Sequence, residues 1–334
     1  MVSTMVSGRS PHAWLRIAFA MFAVGWGANQ FSPMLIVYRH ELRLTAGEVA
    51  GLFLVYALTL IPGLLIGGPA SDRFGRRLVV WPFVALSPLA TLLLVLGPRS
   101  LAVIAVGRAL AGLCSGVVFG AATAWVQEVS PDESLSARRS ALALTAGFGL
   151  GPVVAAVLAQ WAGDPLVVPY LPHLVIGSAA AAVLAGTPEG SAERPGRPQP
   201  AGRRWPPAAV RTRRFWLAVA PGSPLVFGSV ALAIVVLPEE VTSARTLSAG
   251  FAGLMTALSF AAGVAVQPFA RRLPDMLAGA VAGLVCAAAG AAVGIAALAL
   301  WTAGYAASLR RSAGRPEGDA LVRSSRRNCD SVSR

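Results

Sequence analysis

The feature that most constrains this chain is a run of about 20 consecutive apolar residues, and it recurs along most of the 334 positions. Crossing roughly 30 Å of hydrocarbon as a helix takes about 20 apolar residues. Lipid offers the backbone no hydrogen-bond partners, so a spanning segment must be a helix or part of a closed barrel. The runs are continuously apolar rather than alternating, which selects helices over barrel strands. Charged residues make up 13% of the chain and apolar residues 55%, whereas a soluble domain has about 25% charged residues. The expected fold class is all-α integral membrane.

Nine spans are expected, over residues 14–38, 49–70, 78–97, 101–125, 138–161, 166–186, 214–237, 249–269 and 276–304. The first lacks a small-residue cleavage site and reads as a retained span, not a signal peptide. Trp14, Trp81, Trp161, Trp216 and Trp301 fall near span ends, where indole rings favour the interface. The segment 187–213 is dominated by Pro, Gly and Arg, a composition that does not bury a core. The expected organisation is a six-helix bundle over 1–186, a cytoplasmic linker over 187–213, a partial three-helix bundle over 214–305 and a disordered Arg-rich tail over 306–334.

All 28 basic residues are arginine, and the net charge is +13. Without lysine there is no Walker A loop and no Schiff-base lysine. Nor is there a nucleophile elbow, an intramembrane acid pair or a metal-ligand cluster: Cys114, Cys286, Cys329, His12, His40 and His173 are scattered. No enzyme, cofactor or metal is expected. Most arginines sit in short loops between apolar runs, a pattern that sets topology and argues against nucleic-acid binding. With the N-terminus cytoplasmic, 16 arginines fall in inside segments and 4 in outside loops. The expected location is the cell membrane, multi-pass, with the N-terminus inside.

The run Leu44–Leu52 opening span two is echoed by Leu247–Leu254 opening span eight, six spans later. Even spacing preserves orientation and implies a parallel repeat of six-helix halves. Thr45–Glu48 and Ser130–Glu133 both read as capping boxes.

The most specific motif lies between spans two and three: Gly68-Pro69-Ala70-Ser71-Asp72-Arg73-Phe74-Gly75-Arg76-Arg77. Gly75 suits a sharp turn between antiparallel helices, and Asp72 with its arginines suits charge-assisted bonds across helix ends. Span four carries Arg108 at a costly depth, beside a small-residue ridge at Gly112, Gly116 and Gly120. Snorkelling to the outer interface is its bland alternative. Span five carries Gly147, Gly151 and the helix-kinking Pro152. Asn29 and Gln30 sit together in span one before Pro33; buried amides need partners, from a central cavity or a neighbouring helix.

The span 2–3 motif resembles the signature loop of the major facilitator superfamily, and the Gly-Pro segment resembles that of its drug/proton antiporter members, with Ala155 and Ala156 where the family tends to have glycines. The resemblance implies a helical bundle with a complete N-terminal half and a partial C-terminal half, and no enzymatic activity. It implies alternating-access transport of a small solute, with a proton as candidate coupling ion and efflux as candidate direction. Asp72, Arg73 and Arg76 would gate, with Gly68, Gly75 and Arg77 completing the motif and Glu128 supplying a further acid. Arg108, Asn29 and Gln30 would line the transport path, and Gly112, Gly116, Gly147, Gly151 and Pro152 would shape the helices. The expected partners are a small solute and the bilayer, and no nucleic acid.

The tail after about residue 309 carries seven arginines on the side expected to be outside. That breach of the charge rule leads to the expectation of a C-terminally shortened chain, through a frame shift near residue 305. A non-transporting fragment and a structural or regulatory membrane protein are the alternative readings.

Overall fold

The computed structural model describes residues 12–187 and the isolated positions 212, 213, 254, 258, 261, 265, 289 and 290. The chain divides into two units, Met1–Gly279 and Ala280–Arg334; the fold set out below is that of residues 12–187 of the first. Apart from those isolated positions and Thr187, spans seven to nine, the linker and the second copy of the repeat lie outside the described residues, as do the whole tail, Cys286 and Cys329.

Seven α-helices follow one another: α1 Ala13–Asn29, α2 Phe31–Glu41, α3 Ala46–Phe74, α4 Arg76–Leu96, α5 Leu101–Val129, α6 Glu133–Trp161 and α7 Leu171–Ala185. Short 3₁₀ turns, Gly97–Arg99 and Val168–Tyr170, precede α5 and α7. Five helical segments are long and apolar enough to cross a membrane: Ala46–Phe74, Arg76–Leu96, Leu101–Val129, Leu135–Trp161 and Val168–Ala185.

The expected first span is two helices, not one. Pro33 has no N–H to give the Asn29 carbonyl, and the chain breaks between them, at Gln30. Gln30 keeps right-handed helical angles, φ −54 and ψ −22, and its N–H donates to the Trp26 carbonyl at 2.9 Å. The path therefore bends without reversing, and α1 with α2 occupies the place of the expected first span.

Helix ends follow local chemistry. At Thr45 the expected capping box is present: its hydroxyl accepts from the Glu48 N–H at 3.3 Å, and its own N–H donates to the Glu48 carboxylate at 2.8 Å. The second expected box is not formed on Ser130. Asp132 caps α6 instead, accepting from the Leu135 N–H at 2.8 Å. Ser130 Oγ is occupied elsewhere, accepting from Arg139 Nη1 at 3.0 Å.

The most extensive packing is α3 on α5, followed by α4 on α5, α1 on α6, α4 on α7, α1 on α5 and α1 on α7. In spans these are 2·4, 3·4, 1·5, 3·6, 1·4 and 1·6. Exchanging spans 1–3 with 4–6 turns this set into itself, the signature of an internal repeat of three helices. Small residues make the two equivalent seams possible. A Cβ on Gly151 would stand 2.7 Å from the Trp26 carbonyl oxygen, and one on Gly116 would stand 2.7 Å from the Leu64 nitrogen. Contact that close between helix backbones strengthens dispersion where lipid removes the hydrophobic drive. The main core cluster, around Ile17, Met21, Val84, Val118 and Trp125, lies where α1, α4, α5 and α7 meet. Leu54, Leu58, Ile61, Leu65 and Ile66 on α3 stay exposed, as suits a helix whose solvent is hydrocarbon.

Candidate functional site

The signature motif is almost entirely helical. Residues 68–74 complete α3, Arg76 and Arg77 begin α4, and Gly75 alone joins them. Gly75 has φ 102, a region in which a side chain is strained. Its N–H donates to the Ser71 carbonyl at 3.1 Å, closing α3.

That one-residue turn throws Arg76 back across two helix ends. Its guanidinium meets Asp72 of α3 at 2.5 Å and Glu128 of α5 at 2.8 Å. Arg76 Nε also donates to Glu128 at 2.9 Å, and Nη1 donates to Ser71 Oγ, which itself donates to the Gly68 carbonyl at 2.8 Å. The arginine side chain is 13% exposed, while Asp72 and Glu128 are 43% and 31% exposed. One cation at the water edge thus ties α3, α4 and α5 through bonds that a modest movement can break. Arg73 lies outside this knot, with its guanidinium 5.3 Å from the Phe74 ring centroid. Arg77 is exposed on the first turn of α4.

Arg108 stands in a contrasting place, seven residues into α5, or about 10 Å along the helix at 1.5 Å per residue. It is 1% exposed and does not snorkel to water. Nη1 donates to the Ala28 carbonyl at 3.3 Å and Nε to the Leu52 carbonyl at 3.4 Å. The guanidinium carbon lies 4.1 Å from the Phe31 ring centroid and 4.4 Å from that of Tyr56. Two aromatic faces and two helix carbonyls contact the guanidinium, and no carboxylate pairs with it among the described residues. Cation–π contacts strengthen when desolvated, and the planar guanidinium stacks where an ammonium would not.

Asn29 and Pro152 are brought together. Pro152 has no N–H, so the Phe148 carbonyl one turn earlier loses its helical donor. Asn29 Nδ2 donates to that carbonyl at 2.8 Å, and Asn29 Oδ1 accepts from Ser32 Oγ at 2.8 Å. Of the two kinds of partner open to this amide, a cavity or a neighbouring helix, it bonds the helix, and that bond repairs the proline's damage. The α1–α6 seam is closest at the same level: Gly147 faces the Phe22 carbonyl and Gly151 the Trp26 carbonyl. Gly112 and Gly116 face α3 at Tyr56, Leu60 and Gly63.

Gln30 leads to residues outside the expected site. Its Nε2 donates to Thr91 Oγ1 at 3.2 Å, and Thr91 Oγ1 lies 2.7 Å from His173 Nδ1. Thr91 accepts from Gln30, so its own proton is free for the imidazole. Among the described residues, Gln30 Oε1 and His173 Nε2 are buried without hydrogen-bond partners. His173 has a signal that metal-ligand spacing does not use: it is a lone ionisable side chain in an otherwise apolar span, where polar groups are expensive. Tyr56, Phe31 and Thr91 have no such signal, being ordinary residues of apolar helices. No group of three or more His, Cys, Asp or Glu that could hold a metal occurs among the described residues.

Five helices of spanning length, packed with α1 and α2 as an internal repeat and knotted at one end by Arg76, define a polytopic helical membrane protein. The chain belongs to the Major Facilitator Superfamily, whose profile matches residues 17–310. It is similar to the quinolone resistance protein NorA of Staphylococcus aureus (strain MRSA252), with 24% identity over 144 residues, 42% of this chain and 37% of that protein. It is also similar to the bacillibactin exporter of Bacillus subtilis (strain 168), with 27% identity over 143 residues, 40% of this chain and 36% of that one. The matches therefore span well under half the length of these curated relatives. Among solved structures, a bacterial homolog of the human lysosomal transporter Spinster, in an inward-facing and unoccupied conformation, shares the fold. It superposes with a TM-score of 0.54 at 14% identity, covering 80% of this chain and 65% of that one.

Proposed function

We infer that the chain acts in secondary transport of a small solute by alternating access, as an exporter, with a proton as the coupling ion. The observation that carries this reading is the Arg76 knot with Asp72 and Glu128 at one end of the bundle. Ion pairs at the water edge, each contributing about 0–1 kcal/mol, suit a contact that must form and break in every cycle. Membership of the Major Facilitator Superfamily and likeness to a quinolone resistance protein and a bacillibactin exporter support the same reading. Arg108 serves as the fixed cation of the transport path, while Gln30, in a chain of buried polar groups, serves at its kink. Gly112, Gly116, Gly147 and Gly151 act as the surfaces on which helices turn. The N-terminus lies in the cytoplasm and the protein in the cell membrane, as the arginine distribution indicates.

The test is flux in proteoliposomes holding the full chain, with an intrinsically fluorescent quinolone as the probe and an imposed pH gradient. The expected result is gradient-dependent quinolone movement that Asp72→Asn reduces about tenfold, on the scale of one lost charge-assisted bond. Absence of gradient-driven movement for the quinolone and for bacillibactin would sink the exporter reading. It would favour a structural or regulatory membrane protein.

A further inference from the structure

We propose that the seam between α1 and α6, at the end of the bundle that holds Glu128, is a binding site for an anionic phospholipid. The inference holds whether or not the chain transports. Three arginines lie at this end of the two helices: Arg138 and Arg139 on α6, and Arg16 on α1, on the side of that helix toward α7. Each is free of carboxylates among the described residues. Arg16 Nη1 donates to the Gly186 carbonyl at 2.9 Å, beyond the end of α7. Arg139 donates to Ser130 Oγ at 3.0 Å, and its guanidinium carbon lies 4.0 Å from the Trp14 ring centroid. Arg138 is exposed and makes no ion pair among the described residues. Neutral partners therefore orient two of the cations and leave all three charges uncompensated. Arg76, by contrast, is paired with two carboxylates.

The depth fits a headgroup. α6 has 29 residues, about 43 Å at 1.5 Å per residue, against roughly 30 Å of hydrocarbon. About 6 Å at each end then projects beyond the acyl chains. Arg138 and Arg139 lie about 8 to 9 Å from the start of α6, at the boundary between headgroup and hydrocarbon. The indole of Trp14 lies against Arg139 at that level, where such rings settle. Leu15 on α1 and Leu142 on α6 are 46% and 51% exposed. Leu142 follows Arg138 by four residues, one helical turn further into the membrane on the same face. An anionic phosphodiester with acyl chains matches this order of groups: charge on Arg138 and Arg139, hydrocarbon on the leucines. A soluble anion would have no use for the leucines.

The experiment is native mass spectrometry of the full chain, purified in mild detergent and titrated with phosphatidylglycerol or phosphatidylcholine. The wild type is expected to retain phosphatidylglycerol at a concentration at which phosphatidylcholine is lost. R138Q/R139Q is expected to weaken phosphatidylglycerol retention by about tenfold or more, since each basic group near the surface contributes on the order of a fivefold preference. R138K/R139K keeps the charge and is expected to retain most of the preference. R39Q/R43Q removes two charges from the opposite end and is expected to bind phosphatidylglycerol as the wild type does. Circular dichroism of each variant establishes that helix content is intact. The proposal is overturned if wild type shows no preference between the two lipids, or if R138Q/R139Q binds phosphatidylglycerol as tightly as wild type. It is equally overturned if R39Q/R43Q loses as much as R138Q/R139Q, because the effect would then be net charge and not this seam.

Discussion

Arg76 and Arg108 are the same side chain in two different solvents. Arg76 is 13% exposed at a helix end, with two carboxylates and a serine hydroxyl around it. Arg108 is 1% exposed inside the bundle, with two carbonyls at 3.3 and 3.4 Å and two aromatic rings. At the water edge, the two carboxylates keep part of their hydration, and a paired charge forms weak, reversible bonds. In the interior, desolvation dominates, and a charge without a counter-charge is kept at the expense of stability. The first arrangement can be made and broken by motion. The second makes sense only if the charge itself is used.

Four measurements would break or sharpen that contrast. The largest effect is expected at Arg108→Met, which keeps the volume and removes the charge. Quinolone flux should fall at least about 100-fold, while thermal stability is unchanged or raised, because an apolar side chain replacing a buried charge is often neutral or stabilising. A melting temperature that drops with flux intact would reverse the assignment and make Arg108 structural.

Arg76→Gln comes next. It leaves Asp72 and Glu128 facing each other without their cation, so flux should fall about tenfold and the melting temperature by a few degrees, the scale of about 1 kcal/mol. Equal losses of stability at both arginines would erase the contrast.

Single removal of the acids should have smaller effects on stability, and unequal ones. Glu128 bonds Arg76 through two nitrogens and joins α5 to α4, whereas Asp72 is more exposed and lies one turn away in sequence. Glu128→Gln is therefore expected to lower the melting temperature more than Asp72→Asn, each by a degree or two, about 0.5 kcal/mol. The reverse order would mean that the α3–α4 contact, not the α4–α5 contact, holds this end together.

The smallest effect is that of salt. Raising ionic strength to about 1 M shortens the screening length to about 3 Å. The stability difference between wild type and Arg76→Gln should shrink, while that between wild type and Arg108→Met should not change. Thermal melts of all three proteins at low and high salt give the answer directly.

What was legible in the sequence is what local chemistry encodes. Apolar runs of spanning length marked α3 to α6 within a few residues, because the bilayer thickness sets the length. Thr45 and Glu48 announced their cap, and Gly75 its turn, because each acts on residues within one helical turn. The motif at Gly68–Arg77 marked the family. Ser130 misled because two residues, Ser130 and Asp132, both had cap-forming side chains within one turn, and spacing alone does not choose between them. The break at Gln30 was foreshadowed only by Pro33, which as readily kinks a helix as divides it.

Only the tertiary structure decided the partners. Asn29 reaches Phe148 across 119 residues, Gln30 reaches Thr91 across 61, and Thr91 reaches His173 across 82. Arg108 finds its carbonyls 80 and 56 residues away. An apolar helix presents nearly the same composition on every face, so its sequence does not say which face meets which neighbour. That choice is made by where glycines let backbones approach and by which buried polar groups can satisfy one another, and both are properties of the packed bundle.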